Sequence, residues 1–140
     1  MKERFHQADQ EQRERTIEVI VRNLQNRPEL DFTYLHGSFL SDLPFHDIDL
    51  AIYFNGDTPP VGQLRQALDL AGELSRATGY PLDIRPLNQA SLPFAYQVIR
   101  GRLIHEKEND LSTGFVEQTI RRYLDIKPFL LTGMKEAFAP

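Results

Sequence analysis

Asp47 and Asp49 are separated by one apolar residue in the run DIDLAIYF. Ile48, Leu50, Ile52 and Phe54 fall on one side of a two-residue period there, and Asp47, Asp49, Ala51 and Tyr53 on the other. On a strand such a pair projects from one face with Cα atoms about 6.6 Å apart, close enough for both carboxylates to hold one cation. Left alone, the two charges repel by about 3 kcal/mol at an effective dielectric of about 20 and a separation of about 5 Å, a large cost for a marginally stable domain. Hard carboxylate oxygens select Mg²⁺ or Mn²⁺, ions that complete their shell with waters and substrate phosphates. The pair points to chemistry on a phosphate-bearing substrate, a nucleotide above all.

A third carboxylate, Asp83, lies in PLDIRPL, where Leu82 and Ile84 alternate with Asp83 and Arg85. If its strand neighbours the Asp47/Asp49 strand, three carboxylates gather with room for two metals. One ion then polarises an attacking hydroxyl while the other grips a triphosphate and its leaving pyrophosphate. Asp47 and Asp49 would hold both ions. Asp83 would bind the ion nearest the acceptor and take the acceptor's proton. Gly37-Ser38 supplies what a triphosphate needs: a glycine lets the backbone approach an anion, and exposed N–H groups and a hydroxyl donate to phosphate oxygens. Arg85 shares the face of Asp83 and either meets triphosphate or forms a plain ion pair with a neighbouring acid. Taken singly, Gly-Ser is a turn, and two alternating aspartates are the solvated face of an edge strand. The ordered set is what carries the inference. His36, His46 and His105 lack metal-ligand spacing and are expected to be structural or exposed. Arg121, Arg122 and Lys127 read as a wet helix face.

The elements that must position these residues follow from periodicity. Ile17, Ile20, Val21 and Leu24 mark an amphipathic helix over about 8–26, ended by Pro28. From Asp31 the period becomes two, with Phe32, Tyr34 and His36 alternating with Thr33 and Leu35 in a strand that runs into Gly37. After the Asp47–Phe54 strand and the turn Asn55–Pro60, the residues Leu64, Ala67, Leu68, Ala71 and Leu74 mark a helix ending near Gly79. A strand shortened by Pro86, a short helix over 91–100 and a strand over 102–105 come next. Leu111, Phe115, Thr119, Ile120, Tyr123 and Leu124 mark a closing helix to about 126. Pro128 is expected to break or kink it, leaving a second helical piece to 138. The expected fold is α/β (α+β): one domain over 1–140, with a small mixed sheet of about four strands within 31–105, flanked by helices.

Composition narrows the classes. The chain has 140 residues, 41% of them hydrophobic and 26% charged, which is ordinary for a globular protein. Without cysteine it can build neither disulfides nor a thiolate zinc site. Its formal charge of -4 gives no general attraction for a phosphate backbone, so no long nucleic acid is expected as partner. The charged start MKERFHQADQEQRER is unlike a secretory signal and no run approaches membrane-spanning length, so a cytoplasmic location away from membranes is expected.

The stretch YLHGSFLSDLPFHDIDLAIYF resembles the DNA polymerase beta-like nucleotidyltransferase superfamily, whose signature is a strand-terminal Gly-Ser, a connecting segment and an Asp-apolar-Asp strand. Size and the lone catalytic unit look like the minimal nucleotidyltransferases (MNT), including the MntA-like antitoxins paired with HEPN toxins. The resemblance implies the nucleotidyltransferase fold, nucleotide-phosphate contacts at Gly37 and Ser38, and metal ligation by Asp47, Asp49 and Asp83. It further implies Mg²⁺ or Mn²⁺, ATP as substrate, transfer of AMP to a tyrosine of a HEPN toxin, and an antitoxin role; an oligomer is compatible. The chain departs from many relatives in having only eight residues between Ser38 and Asp47, with no arginine soon after the serine. Two other functions stay open: a non-catalytic antitoxin that occludes its toxin, and an aminoglycoside-type small-molecule adenylyltransferase. The latter is disfavoured because 111–140 is too short to build an acceptor domain.

Overall fold

The computed structural model describes residues 4–137. The first helix, α1, spans Gln10–Leu24 and starts at a reciprocal capping box: the Asp9 carboxylate accepts from the Gln12 N–H, and the Gln12 side chain accepts from the Asp9 N–H. Strand β1 (Leu30–His36) leads through Gly37 into a single 3₁₀ turn, Ser38–Leu40, and an extended loop to β2 (Ile48–Phe54). Helix α2 (Pro60–Thr78) begins at a proline that gives up no needed N–H, and ends at Gly79, whose φ of 82° closes the helix in the left-handed conformation. Then follow β3 (Leu82–Pro86), α3 (Leu92–Ile99), β4 (Arg102–Glu106) and α4 (Thr113–Ala137).

The four strands form one mixed sheet in the order β3-β2-β1-β4. β1 runs antiparallel to β2 and to β4, while β2 and β3, joined by α2, run parallel. Strand alternation then divides the core in two. On one face Leu35, Leu50, Ile52 and Ile84 pack with Ile17, Ile20 and Leu24 of α1 and with Ala67, Leu70 and Leu74 of α2. On the other, Phe32, Tyr34 and Ala51 pack with Val98 of α3 and Phe115 and Val116 of α4. Asp47, Asp49 and Asp83 stand on this second face, at the end of the sheet where β1 finishes and β2 and β3 begin.

Two expectations need correction. Pro128 does not divide the last helix: α4 is one helix from Thr113 to Ala137 with Pro128 inside it. The proline removes only its own N–H, and around it the helix is exposed, so water can take up the freed carbonyl; residue 138 lies outside the described residues. In α2 the buried stripe is Gln63, Ala67, Leu70 and Leu74, whereas Leu64 and Leu68 are 55% and 65% exposed. Gln63 can be buried because its side-chain amide donates to the Thr58 carbonyl at 2.9 Å. The strand that carries Asp49 is central, and α3 and α4 cover the rest of its face, which excludes the plain alternative of a solvated edge strand. Among the described residues no helix is long and apolar enough to cross a membrane.

Candidate active site

The parallel pairing of β2 with β3 puts Asp49 directly opposite Asp83, and the antiparallel pairing with β1 puts His36 opposite Asp49 from the other side. Asp47 lies one residue before β2 begins. Each of the three aspartates brings a carboxylate oxygen to within 4.8 Å of the others, and all three are half-buried. The expected gathering of the acids on one face is therefore what the sheet register produces.

Gly37 closes the site on its inner wall. Its φ is 83°, a left-handed value, and a Cβ built on it would fall 2.3 Å from Asp49 Oδ2. Both the turn and the contact exclude a side chain there. Ser38 follows as the first residue of the 3₁₀ turn; its carbonyl accepts from the Ser41 N–H at 3.0 Å and from Ser41 Oγ at 2.8 Å. Gly37 and Ser38 are both exposed, so their backbone faces solvent beside the carboxylates.

The electrostatics express this crowding. Burial first, then the charges of Asp47 and Asp83, push the Asp49 carboxyl up to about 7, with Arg85 pulling the other way. A cluster of hard oxygens under mutual repulsion is a donor set that fits Mg²⁺ or Mn²⁺: added positive charge relieves the strain that the fold imposes on Asp49. Arg85 itself is exposed, reaches Asp83 Oδ2 at 3.4 Å, and lies over the Phe94 ring at 5.5 Å. It is thus an ion pair with Asp83 at the outer rim of the acid cluster.

Several neighbours were not legible as site residues. His36, half-buried, packs edge-on to Phe94, its Nε2 is buried without a hydrogen-bond partner among the described residues, and burial lowers its pKa. His46 directly precedes Asp47 in the chain; its Nδ1 lies 3.1 Å from the Arg4 carbonyl and its ring rests on Phe5. His105 is buried on β4, away from the acids. Arg121, Arg122 and Lys127 are exposed on α4, as expected. Arg13 is the residue most thoroughly missed, being 3% exposed under the 39–45 loop. A signal existed: it lies four residues before Ile17, and so extends the apolar stripe of α1.

Residues 18–110 match the family model described as polymerase beta, nucleotidyltransferase. A search of curated proteins returns no significant match. Among solved structures, a chain of the tri-AMPylated Shewanella oneidensis HEPN toxin in complex with MNT antitoxin is 23% identical, with a TM-score of 0.65, covering 94% of this chain and 100% of that one. A chain of a toxin-antitoxin structure with AMP-PNP is 23% identical, with a TM-score of 0.67 and coverage of 90% and 98%. A chain of the MntA-HepT toxin-antitoxin is 24% identical, with a TM-score of 0.64 and coverage of 94% and 100%. These likenesses establish a shared fold.

Proposed function

The chain belongs to the polymerase beta nucleotidyltransferase family, and on that premise we propose that it is an antitoxin that moves AMP from ATP to a tyrosine hydroxyl of a partner HEPN toxin. The observation that carries the reading is the convergence of Asp47, Asp49 and Asp83 beside the solvent-facing Gly37-Ser38 backbone. The toxin, the AMP group and the nucleotide come from the names of the structural neighbours, a tri-AMPylated HEPN toxin with an MNT antitoxin and a toxin-antitoxin bound to AMP-PNP.

Each group then has a role. Gly37 and Ser38 hold triphosphate oxygens through backbone N–H groups and the hydroxyl, and Arg85 at the rim adds a positive charge on the acceptor side. Asp47, Asp49 and Asp83 would hold Mg²⁺ or Mn²⁺, which would neutralise charge on the triphosphate and acidify the acceptor hydroxyl. Asp83 takes the hydroxyl proton as the oxygen attacks the α-phosphorus; the bond from that phosphorus to the bridging oxygen breaks, and pyrophosphate leaves with the electron pair. The chain places the reacting groups on rigid strands, so the geometry is set before substrate arrives.

The test is incubation with labelled ATP, Mg²⁺ and the product of the adjacent reading frame, if that product is a HEPN protein. Label should move to a toxin tyrosine, and Asp47→Asn should reduce the rate by about 10³-fold or more, as expected for loss of a ligand worth several kcal/mol in the transition state. A second reading, occlusion of the toxin without transfer, is favoured by one observation: the Gly-Ser loop offers Leu40, Ser41 and Asp42, with no arginine soon after the serine. Toxin neutralisation that survives both Asp47→Asn and Asp49→Asn, with no label transferred by the wild type, would establish that reading instead.

A further inference from the structure

The loop from Ser38 to Asp47 sets the distance between the phosphate-holding turn and the first carboxylate, yet its own bonds are local. They join Leu40 to Gly37, Ser41 to Ser38 and Leu43 to the Ser41 hydroxyl. Its larger-scale shape is imposed from α1. Arg13 Nη1 donates to the Phe39 carbonyl at 2.8 Å and Nη2 to the Leu43 carbonyl at 2.9 Å, while Nε donates to Ala8 at 2.8 Å. The same guanidinium lies over the rings of Phe39 and Phe45, at 5.2 and 5.0 Å. A buried cation is tolerated when it is paired or well hydrogen-bonded, and here the bonds tie the start and the middle of one loop to a helix. The chain before α1 adds a second fastening, with His6 and Phe45 exchanging backbone hydrogen bonds at 2.7 and 3.0 Å.

We propose that Arg13 is a positioning residue for the nucleotide and metal sites: by pinning Phe39 and Leu43 it fixes the span between Ser38 and Asp47. The inference rests on the nucleotidyltransferase reading for its link to ATP, but not for its link to the cation. Arginine is required because its planar fork reaches three carbonyls in different directions, whereas a lysine ammonium on a single stem reaches fewer of them.

The experiment measures KM and kcat for ATP in transfer, and Mn²⁺ affinity of the protein alone, in wild type, Arg13→Lys and Arg102→Ala. Arg102 pairs with Glu14 of α1 at 2.8 Å on the side of β4, so its loss loosens the same helix without touching the loop. Arg13→Lys should raise KM for ATP and weaken Mn²⁺ binding by about 10-fold each, with kcat within about 3-fold, the range found when groups that orient ligands are altered. Arg102→Ala should leave both at wild-type values. If Arg13→Lys does not fold, Phe45→Leu, which removes one ring face and keeps the hydrogen bonds, should move both in the same direction by about 3-fold. The proposal is overturned if Arg13→Lys stays within about 2-fold of wild type, or if Arg102→Ala shifts KM and Mn²⁺ affinity as much. A wild type that binds Mn²⁺ more tightly than Arg13→Lys but transfers nothing would sustain this inference and reject the enzymatic one. A wild type that neither binds Mn²⁺ nor transfers would overturn both.

Discussion

At Gly37 two demands fall on one residue: a φ of 83° and an aspartate oxygen where a Cβ would lie. Gly37→Ala should therefore cost about 1–2 kcal/mol through the backbone alone, and more through displacement of Asp49. Calorimetry should show a lower Tm, and titration should show weaker Mn²⁺ binding; an alanine variant with wild-type Mn²⁺ affinity would mean that the Gly37–Asp49 contact is dispensable. The aspartates were legible because alternation assigns a face to each side chain without knowledge of the fold. Arg13 was not, because its partners are carbonyls 26 and 30 residues away and carbonyls leave no trace in residue identity. His36 was read as structural or exposed, and its place beside Asp49 was hidden because its neighbour Phe94 belongs to a helix whose packing only the finished sheet determines.

Among the elements, α4 holds a proline where the helical ladder lacks one donor, in a stretch whose side chains around Pro128 are exposed. Pro128→Ala should restore that donor and stabilise the second half of α4 by up to about 3 kcal/mol locally. Hydrogen exchange should show slower amides over 128–132 without a change in the sheet; unchanged exchange would show that the proline costs this helix nothing. Apart from the 3₁₀ turn after Gly37 and the continuity of α4 through Pro128, element types and order could be read from sequence, since the period changes from 3.6 to 2 at the expected places. Two packing features could not. The α2 stripe was displaced because leucines lie on both sides of that helix, and only the Thr58–Gln63 bond reveals that a glutamine takes the buried position. The adjacency of β2 and β3 was a condition of the site reading rather than a deduction, for a connection through a helix permits other sheet positions.

Over the whole molecule, the acid cluster makes stability depend on pH. A carboxyl raised to about 7 binds its proton more tightly in the folded chain than in the unfolded one. In chelator this contribution favours the fold below about pH 4, diminishes as pH rises towards about 7, and is gone above it. Asp49→Asn should then raise the Tm at pH 8 by a few degrees, corresponding to roughly 1 kcal/mol after allowance for solvent screening, and by much less at pH 5. Mg²⁺ should reverse the order at pH 8, stabilising wild type and not the variant. Thermal melts in chelator that show equal gains at pH 5 and pH 8 would remove Asp49 repulsion as the cause. The pairing of Asp49 with Asp83 also has a temporal side. These two residues meet only after α2 has folded back and β3 has docked along β2, a closure across more than thirty residues whose entropy must be met before any non-local contact repays it. A ribosome-bound chain released only as far as Gly79 would possess the glycine turn and two of its acids but no complete cage for a cation.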